Sequence, residues 1–294
     1  MLTMEEIEKR LIDVGYIPSK KIVTAVFLAL NLEKPLLIEG PAGCGKTSLG
    51  IALSKMLGYP LIRLQCYEGI LVEQTIYEWN YHKQILRIQI DSARGSLDDT
   101  EASIFSEEFL LERPLLKALR SEKAVLLIDE IDKADEAFEA FLLEFLGERQ
   151  ITIPELGTIR APEGQKLYTV ITSNNSRELS EPLRRRCIYL YLDFPPMELE
   201  KRIIKAHCPG IEEKVLEKIV LFVNRLRSMK LQKVPSISEA IDFAKSVMAM
   251  NITDLDPRIV EDLLTTLLKV QNDIDMVLDY GLEKLLQGDS SGKW

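Results

Sequence analysis

The sequence is poor in residues that build metal centres and disulfide frameworks. It has four cysteines (Cys44, Cys66, Cys187 and Cys208) with no CxxC spacing, and two histidines, His82 and His207. A structural zinc site or a stapled secreted scaffold is therefore not expected. No apolar run nears the ~20 residues of a membrane helix. The longest, Ile22 to Leu32, contains Thr24 and Asn31 and reads as a buried helix. The N-terminus is acidic at once and lacks the basic-then-apolar order of a secretory signal, so a cytoplasmic location is expected. Positive charge is also short. Lys plus Arg number 37 against 46 Asp plus Glu, and the resulting −9 opposes general nucleic-acid affinity.

What is present is ordinary for a globular chain of 294 residues, with 46% hydrophobic and 28% charged residues, enough length for one large domain or two smaller ones. From about Pro35 to Phe194, short aliphatic or β-branched runs alternate with longer helical patterns, the mark of an α/β fold with a parallel sheet. Strands are expected at 35–39, 124–128, 167–172 and 187–192, with 60–64 as a fifth. After Pro195-Pro196 the strand signals end, and apolar spacing of three and four predicts helices at 198–207, 213–229, 238–250, 258–270 and 276–286. The expected division is an α/β core, 1–195, and an all-helical domain, 196–294. Residues 91–100 read as a mobile loop, and 150–159 alternate around a Pro/Gly turn like a hairpin. Phe138, Phe141, Leu142 and Phe145 share one helical face and read as core. Trp79, with Tyr77 and Tyr81, fits either a substrate-contacting patch or ordinary packing.

Four segments carry chemistry. Gly40-Pro41-Ala42-Gly43-Cys44-Gly45-Lys46-Thr47 fits GxxxxGK[ST] and lies between a predicted strand and a helical pattern, the context this motif needs. Its backbone N–H groups and helix start suit the phosphates of ATP, with Ser48 next in line. Lys46 would reach the β and γ phosphates, and Thr47 would ligate Mg²⁺. Cys44 is better read as a small tolerated loop residue than as a redox switch. Second, the apolar run Ala124–Ile128 delivers Asp129 and Glu130 to a strand end, Asp129 for the Mg²⁺ shell and Glu130 to accept a proton from, or orient, the attacking water, although such acids alone can also simply begin a helix. Third, Asn174 ends another strand, where its amide either contacts that water or the γ-phosphate, or simply punctuates a turn. Fourth, Arg184-Arg185-Arg186 either complements a helix dipole or presents a guanidinium to a neighbouring subunit's γ-phosphate.

In this order, Gly40–Thr47, Asp129-Glu130, Asn174 and Arg186, followed by helices, resemble an AAA+ ATPase over nearly the whole chain. Leu64-Gln-Cys-Tyr-Glu-Gly69, Tyr77-Glu-Trp-Asn-Tyr81, Phe138-Glu-Ala-Phe-Leu-Leu143 and Leu183-Arg-Arg-Arg-Cys187 further resemble the MoxR group, specifically its CoxD-like branch. The resemblance implies a P-loop core with a C-terminal helical lid, assembled as a homo-oligomer, a hexameric ring, that hydrolyses ATP with Mg²⁺. It gives Asn174 the sensor 1 role and makes Arg186 the arginine finger, with Arg185 as the alternative. It places an insertion within 67–95, and the 150–159 hairpin, toward the pore or substrate. It further implies chaperone-like remodelling in metalloenzyme maturation or cofactor insertion, with a von Willebrand factor A domain partner. The chain departs from the superfamily pattern at Glu239, an acid where many relatives carry the sensor 2 arginine. Either Glu239 turns elsewhere or a cation such as Lys233 substitutes.

Other classes remain open at this stage. A nucleotide-gated adaptor with little hydrolysis would fit the Glu239 departure. A DNA-directed motor shares the motifs but is opposed by the acidic balance, and a small-molecule kinase leaves the Asp-Glu pair and Asn174 unexplained. The acidity is local: residues 91–112 hold seven acids and one Arg, and 128–148 hold eight acids and one Lys. These segments are the expected electrostatic complement of the arginine run on a neighbouring subunit.

Overall fold

A five-stranded parallel sheet organises the first of two units into which the chain divides; the computed structural model describes residues 2–94 and 104–287. This unit comprises the residues up to Val14, Lys20–Gly40 and Lys46–Tyr191. Its sheet contains β1 (Leu36–Glu39), β2 (Leu61–Gln65), β5 (Lys123–Asp129), β8 (Lys166–Ser173) and β9 (Ile188–Tyr191), in the order β2-β5-β8-β1-β9. Every pairing within it is parallel. All five expected strands are present, which establishes the α/β class. Ala124 to Ile128 are fully buried, as strands covered on both faces must be.

The flanking helices are α1 (Met4–Asp13), α2 (Lys20–Asn31), α3 (Lys46–Leu57), α4 (Val72–Ile76), α5 (Tyr81–Arg94), α6 (Pro114–Arg120), α7 (Glu136–Glu148) and α8 (Glu181–Arg186). Local chemistry sets their starts. Thr3 and Glu6 form a capping box on α1, and the Asp135 carboxylate accepts the Phe138 N–H at the start of α7. Phe138, Leu142 and Phe145 on α7 are buried in the core that includes β5. Two short antiparallel pairs complete the unit: β3 (Tyr77–Trp79) with β4 (Leu110–Glu112), and β6 (Gln150–Ile153) with β7 (Gly157–Arg160). The latter is the expected hairpin. Trp79 is buried and packs edge-on against Tyr77 and Phe105, which favours the packing reading, while Tyr81 stands exposed.

One expectation is corrected. The loop foreseen at 91–100 begins as helix, because α5 runs to Arg94 with Asp91 buried against the Arg87 guanidinium one turn earlier. The rest of that segment, 95–100, lies outside the described residues.

The second unit comprises Gly15–Ser19, Pro41–Gly45 and the residues from Leu192 onward. It contains α9 (Met197–His207), α10 (Glu213–Ser228), α11 (Ile237–Ala249), α12 (Pro257–Leu267), α13 (Gln271–Tyr280) and α14 (Leu282–Gln287). The helix expected across 276–286 is two helices, because Gly281 adopts φ +98° and its N–H caps α13 on Val277 and Leu278. The apolar stripe of α10 buries Leu216, Ile219, Val220, Phe222, Val223 and Leu226, and Phe222 meets Phe243 of α11 at 6.2 Å between ring centroids. Each such side chain contributes about 1.5–3 kcal/mol of burial.

An ion pair with a fully buried carboxylate and a largely buried guanidinium lies in this helical core. Arg227 grips Glu200 through two bonds of 2.8 and 2.9 Å, donates to the Pro235 carbonyl at 2.8 Å and lies 4.4 Å from the centre of the Phe194 ring. Asn224 donates to the same carboxylate at 3.1 Å. Removing one partner strands a charge. Arg227→Met should cost about 3–5 kcal/mol in urea unfolding, and Glu200→Met added to it should recover much of that loss.

Candidate functional site

The strand order decides what meets what. β8 lies between β1 and β5, so side chains at the C-terminal end of β8 stand between the loop after β1 and the carboxylates after β5. Asp129, the last residue of β5, is 2% exposed. The Thr47 hydroxyl at the start of α3 donates to it, with oxygen distances of 2.9 and 3.2 Å. Thr172 of β8 donates its hydroxyl to Asp129 Oδ1 at 2.5 Å and accepts the Glu130 N–H at 3.0 Å. One threonine therefore fixes both acids. Glu130 is held in the left-handed region at φ +57°, ψ +49°, a conformation uncommon for a residue with a side chain and typical of functional turns.

Arg63 also reaches this carboxylate, its Nη2 lying 2.5 Å from Asp129 Oδ2 and 2.8 Å from Gln65 Oε1. Sequence reasoning missed Arg63 and Thr172. The signal for Arg63 is weak: Leu61-Ile-Arg-Leu-Gln alternates, with positions 61, 63 and 65 exposed, and Gln65 registers beside Asp129. Only the pairing of β2 with β5 brings Arg63 alongside.

Lys46 is buried and donates to the Gly40 carbonyl at 2.7 Å. Asn174 follows β8, and its backbone N–H donates to Asp132 Oδ1 at 3.1 Å. The other Asp132 oxygen accepts from the Ser176 N–H and hydroxyl. Burial alone would push the Asp132 carboxyl up, but these bonds from Ser176 and Asn174 outweigh it and hold the group below the usual carboxylate range. The support it gives the 174–176 turn is thus complete at neutral pH and lost as pH falls through that lowered value.

The field here is negative. The Cys66 thiol is pushed up to about 12, first by burial and then by Asp129, Asp132 and Glu130. A hydroxyl and a carboxylate 2.9 Å apart in such a field form a hard oxygen donor set that fits Mg²⁺. Among the described residues no group of three or more His, Cys, Asp or Glu could hold a metal, so such an ion would draw other oxygens from phosphate or water.

The three arginines of α8 diverge. Arg184 turns inward, Nη2 3.6 Å from Glu39 Oε2 and its guanidinium carbon 5.3 Å from the centre of the Tyr189 ring. Arg186 donates to the Leu143 carbonyl on α7 and lies against Gly147. The Arg185 side chain is 75% exposed and, among the described residues, pairs with Glu181 one turn earlier, an ion pair of little energetic weight.

In the helical unit, Gly43 packs on the start of α11. The Ile237 N–H donates to the Gly43 carbonyl at 3.3 Å, and a Cβ added at Gly43 would overlap the Ser236 Cβ. Glu239 turns back on its own helix: it accepts the Ser236 N–H at 2.7 Å and lies 3.8 Å from Lys233 Nζ. The Ser236-x-x-Glu239 spacing is a capping-box signature that explains the acid in helical terms.

The sequence profile of the AAA domain, dynein-related subfamily, matches residues 35–187, more than half of the chain. The chain belongs to this family. Its curated relatives include an uncharacterized protein of Staphylococcus aureus (strain bovine RF122 / ET3-1), 27% identical over 243 residues, spanning 80% of this chain and 86% of that protein. A second, from Staphylococcus haemolyticus (strain JCSC1435), is 26% identical with the same coverage. Among solved structures, one mutant of Thermotoga maritima RuvB aligns with a TM-score of 0.51 at 23% identity, over 85% of this chain and 68% of that one. Another mutant of the same protein aligns with a TM-score of 0.50 at 20% identity, over 97% and 82%. At this identity the likeness is one of fold: an AAA+ P-loop core with additional C-terminal helices. No helix among the described residues is long and apolar enough to cross a membrane.

Gly43→Ala tests the tight contact beside α11. Gly43 and Gly164 both have positive φ, +77° and +73°, but a Cβ at Gly164 meets nothing within 4 Å. Gly164→Ala should show only the backbone cost of about 1 kcal/mol. Gly43→Ala should lower the thermal midpoint further and weaken ATP binding at least about tenfold in equilibrium titration, since the loop backbone must approach phosphate closely.

Proposed function

We propose that this chain is an ATP-hydrolysing, ring-forming AAA+ ATPase of the MoxR type, CoxD-like branch, acting in the cytoplasm as a hexamer. The observation that supports it best is the convergence of Thr47, Thr172 and Arg63 on the buried Asp129, with Glu130 held at the next position. On this reading Gly40, Pro41, Ala42, Gly43, Cys44 and Gly45 offer backbone to the phosphates of ATP, Lys46 offers its charge, and Ser48 follows on the helix start. Thr47 and Asp129 would hold Mg²⁺, which when bound neutralises charge on the phosphoryl oxygens.

Glu130 accepts a proton from the attacking water, and Asn174, on the turn braced by Asp132, orients that water. The Thr172 bond to the Glu130 N–H places the base without consuming its carboxylate. A guanidinium from a neighbouring subunit, Arg186 or Arg185, stabilises charge on the transferring phosphoryl group. That Arg184 faces Glu39 supports giving the role to Arg186 or Arg185. The dense match to MoxR segments supports a remodelling role in metalloenzyme maturation or cofactor insertion, with a von Willebrand factor A domain partner.

Glu130→Gln should retain ATP affinity while phosphate release falls about 10²–10⁴-fold. Arg186→Ala, or Arg185→Ala, should lose turnover alone and regain it when mixed with Lys46→Ala subunits, because one interface type then holds both an intact loop and an intact finger. No recovery in rings shown by native mass spectrometry to be mixed would contradict a finger acting in trans. The Glu130→Gln ring with ATP should also retain client and partner in a pull-down.

A further inference from the structure

Glu39 is a buried carboxylate with no role in the chemistry above. It ends β1, is 3% exposed and immediately precedes Gly40, whose carbonyl accepts Lys46 Nζ. Tyr189 of β9 donates its hydroxyl to Glu39 Oε2 at 2.9 Å, and Arg184 Nη2 approaches the same oxygen at 3.6 Å. Glu39 Oε1 is buried with no hydrogen-bond partner among the described residues.

This arrangement is costly as packing alone. A buried carboxylate with one oxygen unsatisfied is unfavourable, and a leucine or glutamine could fill the space without a charge. A negative charge at the root of a phosphate-binding loop also opposes a bound polyphosphate. Oε1 stays unpaired, while the charge itself is countered by Arg184, seated over the Tyr189 ring. Arg184 belongs to α8, a helix of six residues that also carries Arg185 and Arg186.

We propose that Glu39 and Arg184 form a positioning pair that registers the arginine-bearing helix against the strand leading into the phosphate loop. The inference rests on the reading that Arg185 or Arg186 acts on a neighbouring subunit. Within it, Arg184 touches no substrate. It neutralises Glu39, and by doing so holds α8 in register with β1, with Arg185 exposed and Arg186 against Leu143 on α7.

A double-mutant cycle with Glu39→Gln and Arg184→Ala tests this, read by binding of a fluorescent ATP analogue and by phosphate release at saturating ATP. Arg184→Ala should weaken ATP binding about fivefold or more, the order expected from one uncompensated charge near a polyphosphate. The double variant should return to within about twofold of wild type, since removing the Glu39 charge removes the repulsion; recovered binding set against turnover that stays low is a split that a stability defect alone would not give. Turnover should fall about ten- to a hundredfold in all three variants, as for other misplaced reacting groups. Arg184→Lys, which keeps the charge and the fold, should bind ATP like wild type.

Wild-type ATP affinity in Arg184→Ala, a double variant as weak as Arg184→Ala, or wild-type turnover in Glu39→Gln would each overturn the pair. The double variant Arg185→Ala/Arg186→Ala separates this from failure of the underlying reading. If it keeps full turnover, the finger reading falls and the pair with it. If it is inactive while Glu39→Gln is fully active, only the pair falls.

Discussion

The buried Asp129 carboxylate is the interaction on which the rest of the site depends. A charge at this depth persists only when it is paired and hydrogen-bonded. Here the partners come from three segments: Thr47 at the start of α3, Arg63 on β2 and Thr172 on β8. Two of these contacts also fix a functional neighbour. Thr47 ties the end of the phosphate-loop motif to β5, and Thr172 sets the backbone of Glu130. The Cys66 thiol is raised first by burial and then by the same carboxylates that suit a divalent cation.

A second layer of order comes from groups that never meet substrate. Asp132 braces the turn after Asn174, Glu39 receives Tyr189 and Arg184, and Glu239 caps α11 together with Ser236. These acids are given over to backbone, to a tyrosine hydroxyl or to an arginine, and one of them, Asp132, belongs to the acidic stretch 128–148. The acid at 239, which departs from the superfamily pattern, is a helix cap here and also faces Lys233.

Much of this was legible in the sequence, for identifiable reasons. A short apolar run such as Ala124–Ile128, too brief for a helix and bounded by charges, reads as a buried strand, and GxxxxGK[ST] between a strand and a helix leaves little freedom. What could not be read was partnership across the sheet. Arg63 and Thr172 join Asp129 only because β2 and β8 flank β5, an order no local pattern encodes. Glu39 read as an ordinary strand end for the same reason. The break at Gly281 shows the opposite failure: apolar periodicity carried on through a residue whose positive φ ends the helix.

The most direct test of the Asp129 account is phosphate release by the wild type and by Asp129→Ala, each with Mg²⁺ or with a chelator, alongside equilibrium ATP binding. The account predicts wild-type turnover that requires the divalent ion, and an Asp129→Ala protein that still binds ATP but releases no phosphate above background. Near-wild-type turnover by Asp129→Ala, or wild-type turnover unaffected by the chelator, would contradict it.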